Sequence, residues 1–185
     1  AMINYTSGTT SNSKGVLVPY RALWSNYEFA VEVLGNHVQA GQRIISMLPM
    51  AHMYGMAFEF LFEFIHGIHI YYLTRLPSPK VIVQAFADVK PCVVISVPLI
   101  IEKIIKKNVL PKLETPSMKL LLRLPVISDK ILAKVREQIM KVFGSEFYEV
   151  IIGGAALNTE VEQFLKKIGF NYTVGYGATE CAPII

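Results

Sequence analysis

The 185 residues of this chain predict an α/β fold, a largely parallel sheet flanked by helices. Two observations carry the prediction. Short apolar runs rich in β-branched residues alternate with longer segments of helical periodicity, as in chains of βα units. Small-residue turns such as Gly153-Gly154-Ala155 follow strand-like runs and lead into helical patterns. Ligands of open parallel sheets bind at such strand ends.

The apolar stretches Ile3 to Tyr5 and Val16 to Val18 bracket a polar loop and read as a hairpin. Later strands are expected at 44–48, 68–73, 92–96, 149–152 and 171–174, where alternating or continuous apolar runs meet turn residues. Helices are expected at 20–34, 53–65, 79–89, 99–107, 129–143 and 159–168. Pro79 behind Ser78 suits a capped first turn, and Thr159 with Glu162 fits a capping box. The proline-bounded stretch 109–116 reads as a connector.

Apolar residues make up 52% of the chain and charged residues 17%, a hydrophobic balance for a free-standing domain. The excess implies apolar surface meant for further chain or a partner. It leaves room for self-association and for peripheral membrane contact of a longer parent protein. A membrane span is not expected. The longest charge-free apolar stretch, 44–58, covers 15 residues and contains Pro49, His52 and Gly55, short of the roughly 20 that a spanning helix needs. No secretory-signal pattern opens the chain, and Cys92 and Cys181 are far apart. A cytoplasmic location is therefore expected. Net charge is +4, and Lys103, Lys106, Lys107 and Lys112 read as a solvated helix face. No nucleic-acid partner is expected, because no long basic stripe with interleaved aromatics is present.

The run from Tyr5 to Val16, Tyr-Thr-Ser-Gly-Thr-Thr-Ser-Asn-Ser-Lys-Gly-Val, carries most of the functional information. Hydroxyl and amide side chains, a lysine and two glycines could together cradle phosphates. An ordinary surface loop uses the same small polar residues, but three consecutive hydroxyl residues and a nearby Lys-Gly favour the phosphate reading. The run is not a Walker A loop, since Ser13 precedes Lys14 and Gly15 follows it.

Three further segments carry chemistry. Leu48-Pro49-Met50-Ala51-His52-Met53-Tyr54-Gly55 puts a histidine between a strand and a helix. Ile152-Gly153-Gly154-Ala155-Ala156-Leu157 forms a small-residue turn. Gly175-Tyr176-Gly177-Ala178-Thr179-Glu180 supplies an aromatic face, a hydroxyl and a carboxylate, able to meet a base, a phosphate and Mg²⁺. Glu59, Glu63 and His66 fall on one face of a helix, read as an ordinary polar stripe rather than a metal cluster, and His69 reads as structural.

In this order and spacing the four segments resemble the adenylate-forming superfamily of acyl-CoA synthetases, luciferases and peptide-synthetase adenylation domains. Thr6, Ser7, Gly8, Thr9, Thr10, Lys14 and Gly15 match its T-S-G-[ST]-T-G-x-P-K-G loop, while Ser11 replaces a glycine and Ser13 a proline. The segment Ser96-Val97-Pro98-Leu99-Ile100-Ile101-Glu102-Lys103 is similar to one in long-chain acyl-CoA synthetases, with Leu99 in place of arginine. Bacterial long-chain fatty acid–CoA ligases look nearest.

The resemblance implies ATP and coenzyme A as substrates and Mg²⁺ as cofactor, with a fatty acid as the activated carboxylate. It implies that Thr6, Ser7, Gly8, Thr9, Thr10 and Lys14 hold the phosphates. Gly153, Gly154, Ala155, Tyr176 and Gly177 would border the nucleotide. Thr179 would contact the α-phosphate, Glu180 would ligate Mg²⁺, and His52 would position or gate the reacting carboxylate. It further implies that residues 1–185 are one piece of an AMP-binding domain, lacking its N-terminal part and a C-terminal lysine-bearing subdomain. Such a piece is expected to be inactive alone. Adenylation of an aryl or amino acid, or nucleotide binding without turnover, are the alternatives.

Overall fold

The computed structural model describes residues 1–6, 13–74 and 77–184. The phosphate-loop positions Ser7, Gly8, Thr9 and Thr10 lie outside the described residues.

Strands β1 (Met2–Thr6) and β2 (Lys14–Val18) pair antiparallel as the expected hairpin. Helix α1 (Tyr20–Leu34) follows Pro19 and buries Asn26, Ala30 and Leu34, four residues apart on one face. Strand β3 (Arg43–Ser46) leads through the His52 turn into α2 (Met53–Gly55), a π-helical stretch (Met56–Leu61) and α3 (Phe62–Ile65), which follow without a gap. Strand β4 (His69–Tyr72) pairs parallel with β3. Helix α4 (Pro79–Val89) is capped by Ser78, whose side chain accepts from the Val81 amide.

Strand β5 (Val93–Ser96) leads into α5 (Pro98–Asn108), two short helices α6 (Leu110–Leu113) and α7 (Pro116–Leu121), and the long α8 (Pro125–Val142). Strand β6 (Glu149–Ile152), helix α9 (Thr159–Lys167) and strand β7 (Tyr172–Val174) complete the regular elements, before a 3-10 turn at Thr179–Cys181. Strands β5, β6 and β7 are consecutive parallel neighbours. The Cys92 amide donates to the Arg43 carbonyl at 2.8 Å, which sets the β3–β4 pair beside β5.

Every residue of β5 is buried, as expected for a strand with helices on both faces. Its side chains alternate between two cores. Val94 joins Phe86, Ile104, Ile139 and Val161 on one side, while Val93 and Ile95 join Ala30, Leu34, Phe58 and Phe62 on the other.

Three expectations are corrected. The connector at 109–116 contains the helical turn α6, whose Leu113 is buried. The cap of α9 is Asn158 rather than Thr159. Its side chain accepts from the Val161 amide, and its own amide donates to Glu102 of α5 at 2.9 Å. Glu102 thus satisfies the amide of the actual cap residue, Asn158, and Glu162 pairs with Lys166. Asn158→Ala is expected to cost about 1 kcal/mol of stability, read from the urea unfolding midpoint. Glu59 and Glu63 form no solvated stripe, being 0% and 1% exposed. Their helical run is packed between the sheet and α1 and has no water on that side. His66 stacks on Phe62 with ring centroids 5.3 Å apart, His69 is exposed on β4, and the four lysines are exposed as expected.

Candidate functional site

The carboxyl ends of the parallel strands open onto a cleft of about 390 Å³. Its floor comes from β5 and β6. The Gly153 amide donates to the Ser96 carbonyl at 3.0 Å, extending the ladder one residue past β6. Gly154, at φ +87°, then turns the chain away. A Cβ on Gly153 would lie 2.9 Å from the Tyr54 ring, so only glycine allows this approach. The Tyr54 hydroxyl reaches the Ile151 carbonyl at 3.1 Å and that of Ser96 at 3.4 Å. Burial, reinforced by the Glu59 carboxylate, pushes the phenol well above its ordinary pKa. Tyr54 is a cleft residue that sequence reasoning did not single out. Its only sequence signal is a position two residues after His52.

The second wall follows β7. Gly175 donates to the Ile152 carbonyl at 2.9 Å, and Ala178 donates to Pro183 at 2.8 Å. Gly177 bridges Ile184, and a Cβ there would overlap the Pro183 carbonyl oxygen. Tyr176 stands 77% exposed at the cleft edge. Asn26 of α1 ties this wall down: its amide donates to the Cys181 carbonyl at 3.2 Å and its oxygen accepts from Ile184 at 2.9 Å. Thr179 and Glu180 sit in the turn so held.

The third wall is the turn from Leu48 to Gly55, with His52 exposed at its end. Glu59 lies behind it and accepts through Oε2 from Ser46 Oγ at 3.1 Å, Met47 N at 3.0 Å and Leu48 N at 2.8 Å. Burial raises the Glu59 carboxyl to about 7 against these three donors. Glu63 is raised to about 8, first by burial and then by the Glu59 charge, and neither of its oxygens has a hydrogen-bond partner.

A carboxyl raised in the folded state keeps its proton there while the unfolded chain ionises near pH 4.5. Its stabilising contribution is therefore full below that pH and is lost as pH rises to about 8. Glu63→Met removes this loss. The advantage of the variant over wild type should be smallest below pH 4.5 and grow toward pH 8, each tenfold difference in proton affinity being worth about 1.4 kcal/mol. Urea midpoints at the two pH values test this.

His52, Gly153, Gly154, Tyr176, Gly177 and Thr179 all line the one cleft. Ala155 and Glu180 adjoin lining residues without lining it themselves. Thr6 and Lys14 face each other across the hairpin and do not line the cleft. The hairpin is nevertheless docked beside it, through Asn4 Nδ2 on the Ala51 carbonyl at 3.0 Å and Val18 against Met53 and Ala182. Glu180 stands exposed beside Thr179 in the turn. No cluster of three acidic, histidine or cysteine residues that could hold a metal ion occurs among the described residues. Among them, too, no helix is long and apolar enough to cross a membrane.

Long-chain-fatty-acid–CoA ligase 2 of Schizosaccharomyces pombe is 29% identical over 196 residues, covering 96% of this chain and 28% of that protein. Long-chain-fatty-acid–CoA ligase 4 of Saccharomyces cerevisiae is 26% identical over 193 residues, covering 97% of this chain and 28% of that protein. The chain thus spans under a third of the length of these relatives. Among solved structures, o-succinylbenzoate CoA synthetase from Bacillus subtilis with its acyl-adenylate intermediate superposes at TM-score 0.70. It is 17% identical, over 99% of this chain and 30% of that one. The N-terminal domain of FACL13 from Mycobacterium tuberculosis gives TM-score 0.65 at 19% identity, over 97% of this chain and 37% of that one. A family model described as AMP-binding enzyme matches residues 1–185. The chain belongs to the AMP-binding enzyme family.

Proposed function

We propose that this chain supplies the nucleotide-facing part of an ATP-dependent ligase joining a long-chain fatty acid to coenzyme A. The observation that carries the reading is the meeting of three separate sequence segments, at His52, Gly153-Gly154 and Tyr176 to Thr179, around one cleft at the strand ends. The long-chain choice rests on the relatives and on the apolar character of the cleft turn and of the helical run behind it.

In the proposed reaction a carboxylate oxygen attacks the α-phosphorus of ATP and the bond to pyrophosphate breaks. The thiol sulfur of coenzyme A then attacks the acyl carbon, the bond to AMP breaks and the thiol proton leaves to solvent. The residues here bind and orient. Tyr176 and the Gly153-Gly154 turn offer flat surfaces to a base, and Thr179 offers a hydroxyl to the α-phosphate. Lys14 and the hydroxyls of its loop offset the charge of the departing pyrophosphate. By resemblance His52, which lines the cleft, would position or gate the reacting carboxylate. Mg²⁺ held by Glu180 would supply charge neutralisation at the phosphates.

Exchange of radiolabelled pyrophosphate into ATP by the full-length protein tests the reading. Exchange with long-chain acids, followed by acyl-CoA formation, is expected. Exchange with amino acids or aryl acids alone would overturn the substrate class, and nucleotide binding without exchange would overturn the ligase.

The 185 residues alone are expected to form no acyl-CoA. By resemblance a ribose-binding aspartate, an arginine and the lysine of a mobile subdomain belong to later sequence. The loss of each oriented charge typically costs about 3 kcal/mol. Robust turnover by the purified, monomeric chain would contradict this.

A further inference from the structure

We propose that Glu59 is a positioning residue for the acid-binding wall of the cleft, its buried carboxylate fixing the strand end from which the His52 turn departs. The inference rests on the ligase reading.

Strand β3 ends at Ser46, where the Leu73 amide takes the last carbonyl of the ladder. The next two amides, Met47 and Leu48, point at a single oxygen of Glu59, which also accepts from the Ser46 hydroxyl. Buried amides need such a partner, and a charged acceptor with three donors is a strong one. Glu59 itself lies on the helical run that begins at Met53, directly after His52. One side chain therefore closes a ring: strand end, Pro49 to His52, helix start, and back through the carboxylate to Leu48. Within the ring, the His52 amide donates to Pro49 at 3.0 Å and Met56 donates to His52 at 3.0 Å. The carboxylate ties the strand end to the helix of this wall, while Asn4 at the Ala51 carbonyl and the Tyr54 hydroxyl at Ile151 and Ser96 hold its other side.

No ion pair among the described residues includes Glu59. The groups around it are the Tyr54 hydroxyl and Glu63 on its own helical run and the Ser46 hydroxyl on β3, with Glu63 in turn acting on Cys92 before β5. The anion is held by hydrogen bonds alone. Neutralising it weakens all three at once and loosens the strand-end side of the turn carrying His52, while the Gly153 and Tyr176 walls keep their own anchors at Ser96 and Asn26. The effect should fall on the acid and spare the nucleotide.

The test is pyrophosphate exchange by the full-length protein with palmitate and ATP, in wild type, Glu59→Gln and Glu59→Leu. The expected result is a rise of about tenfold or more in the palmitate KM for Glu59→Leu, a smaller rise for Glu59→Gln, and an ATP KM within about twofold of wild type. The wild-type palmitate KM should also rise as pH falls through neutrality, a trend absent from Glu59→Gln. Equal losses for both substrates, or none, would overturn the proposal. If neither variant folds, Ser46→Ala removes one donor and should give a weaker form of the same split. Amide exchange at Met47 and Leu48 gives a readout free of activity. It should quicken about tenfold or more in Glu59→Leu, and unchanged protection would overturn the clamp even if wild type proved to have no exchange activity.

Discussion

In Glu180→Gln, adenylation by the full-length protein is expected to fall roughly 10²- to 10³-fold, the usual cost of losing one oriented group that stabilises the transition state. The substitution keeps size and hydrogen-bonding reach and removes the negative charge that a hard cation requires. The fold should be indifferent. Glu180 is exposed and makes no ion pair among the described residues. Lys14→Ala should cost less, because the hydroxyls and backbone N–H groups of its loop remain to hold phosphate. Pyrophosphate exchange at limiting Mg²⁺ separates the two. An unchanged rate for Glu180→Gln removes this residue from the site.

Gly177→Ala is expected to be as damaging by a different route. The added methyl would overlap the Pro183 carbonyl oxygen, a backbone atom that cannot rotate away. The Gly177–Ile184 bridge and the Ala178–Pro183 hydrogen bond would have to open. Overpacking of this kind costs about 1–3 kcal/mol, and here it falls on the segment that presents Tyr176 and Thr179. Activity should drop by about two orders of magnitude, since small misplacements of positioning groups have that effect. The rest of the protein should unfold at nearly its normal urea concentration. Near-normal exchange activity would show that the cleft does not need this close approach.

Local rules made much of the architecture legible. The span Tyr20–Leu34 is free of glycine and proline and behaves as its periodicity predicts. Ser78-Pro79 caps α4 as the residue types require. The apolar run at β5 announces a strand buried on both faces. What the sequence hid were decisions made by distant partners. Asn158 outcompetes Thr159 as a cap because Glu102, far away in sequence, takes the cap's amide. Asn26 looks like any polar residue on a helix until the Cys181–Ile184 segment folds against it. The misreading of Glu59 and Glu63 has a clearer remedy. Two carboxylates in an otherwise apolar run from Met53 to Ile65 leave little polar face for water, so burial was the alternative to weigh. At the site, the small-residue turns and the His52 turn were readable because each places chemistry at a strand end. The Tyr54–Gly153 contact was not, since it joins two segments nearly a hundred residues apart.

The π-helical stretch Met56–Leu61 gives this part of the chain room to absorb a change in length. Each residue of an α-helix advances the side-chain direction by about 100°, and a π turn accommodates one residue more than an α turn. His52 at one end and Phe62 and Glu63 at the other are phased to each other through that wider turn. Deleting a single residue, even Ala57, would let the stretch relax into ordinary α-helix and improve its local hydrogen bonding. Because the wider turn holds the extra residue, the flanking segments would keep their phase, and the cleft wall would stay joined to the buried core behind it. Single-residue insertions and deletions among homologues should therefore be tolerated within 56–61.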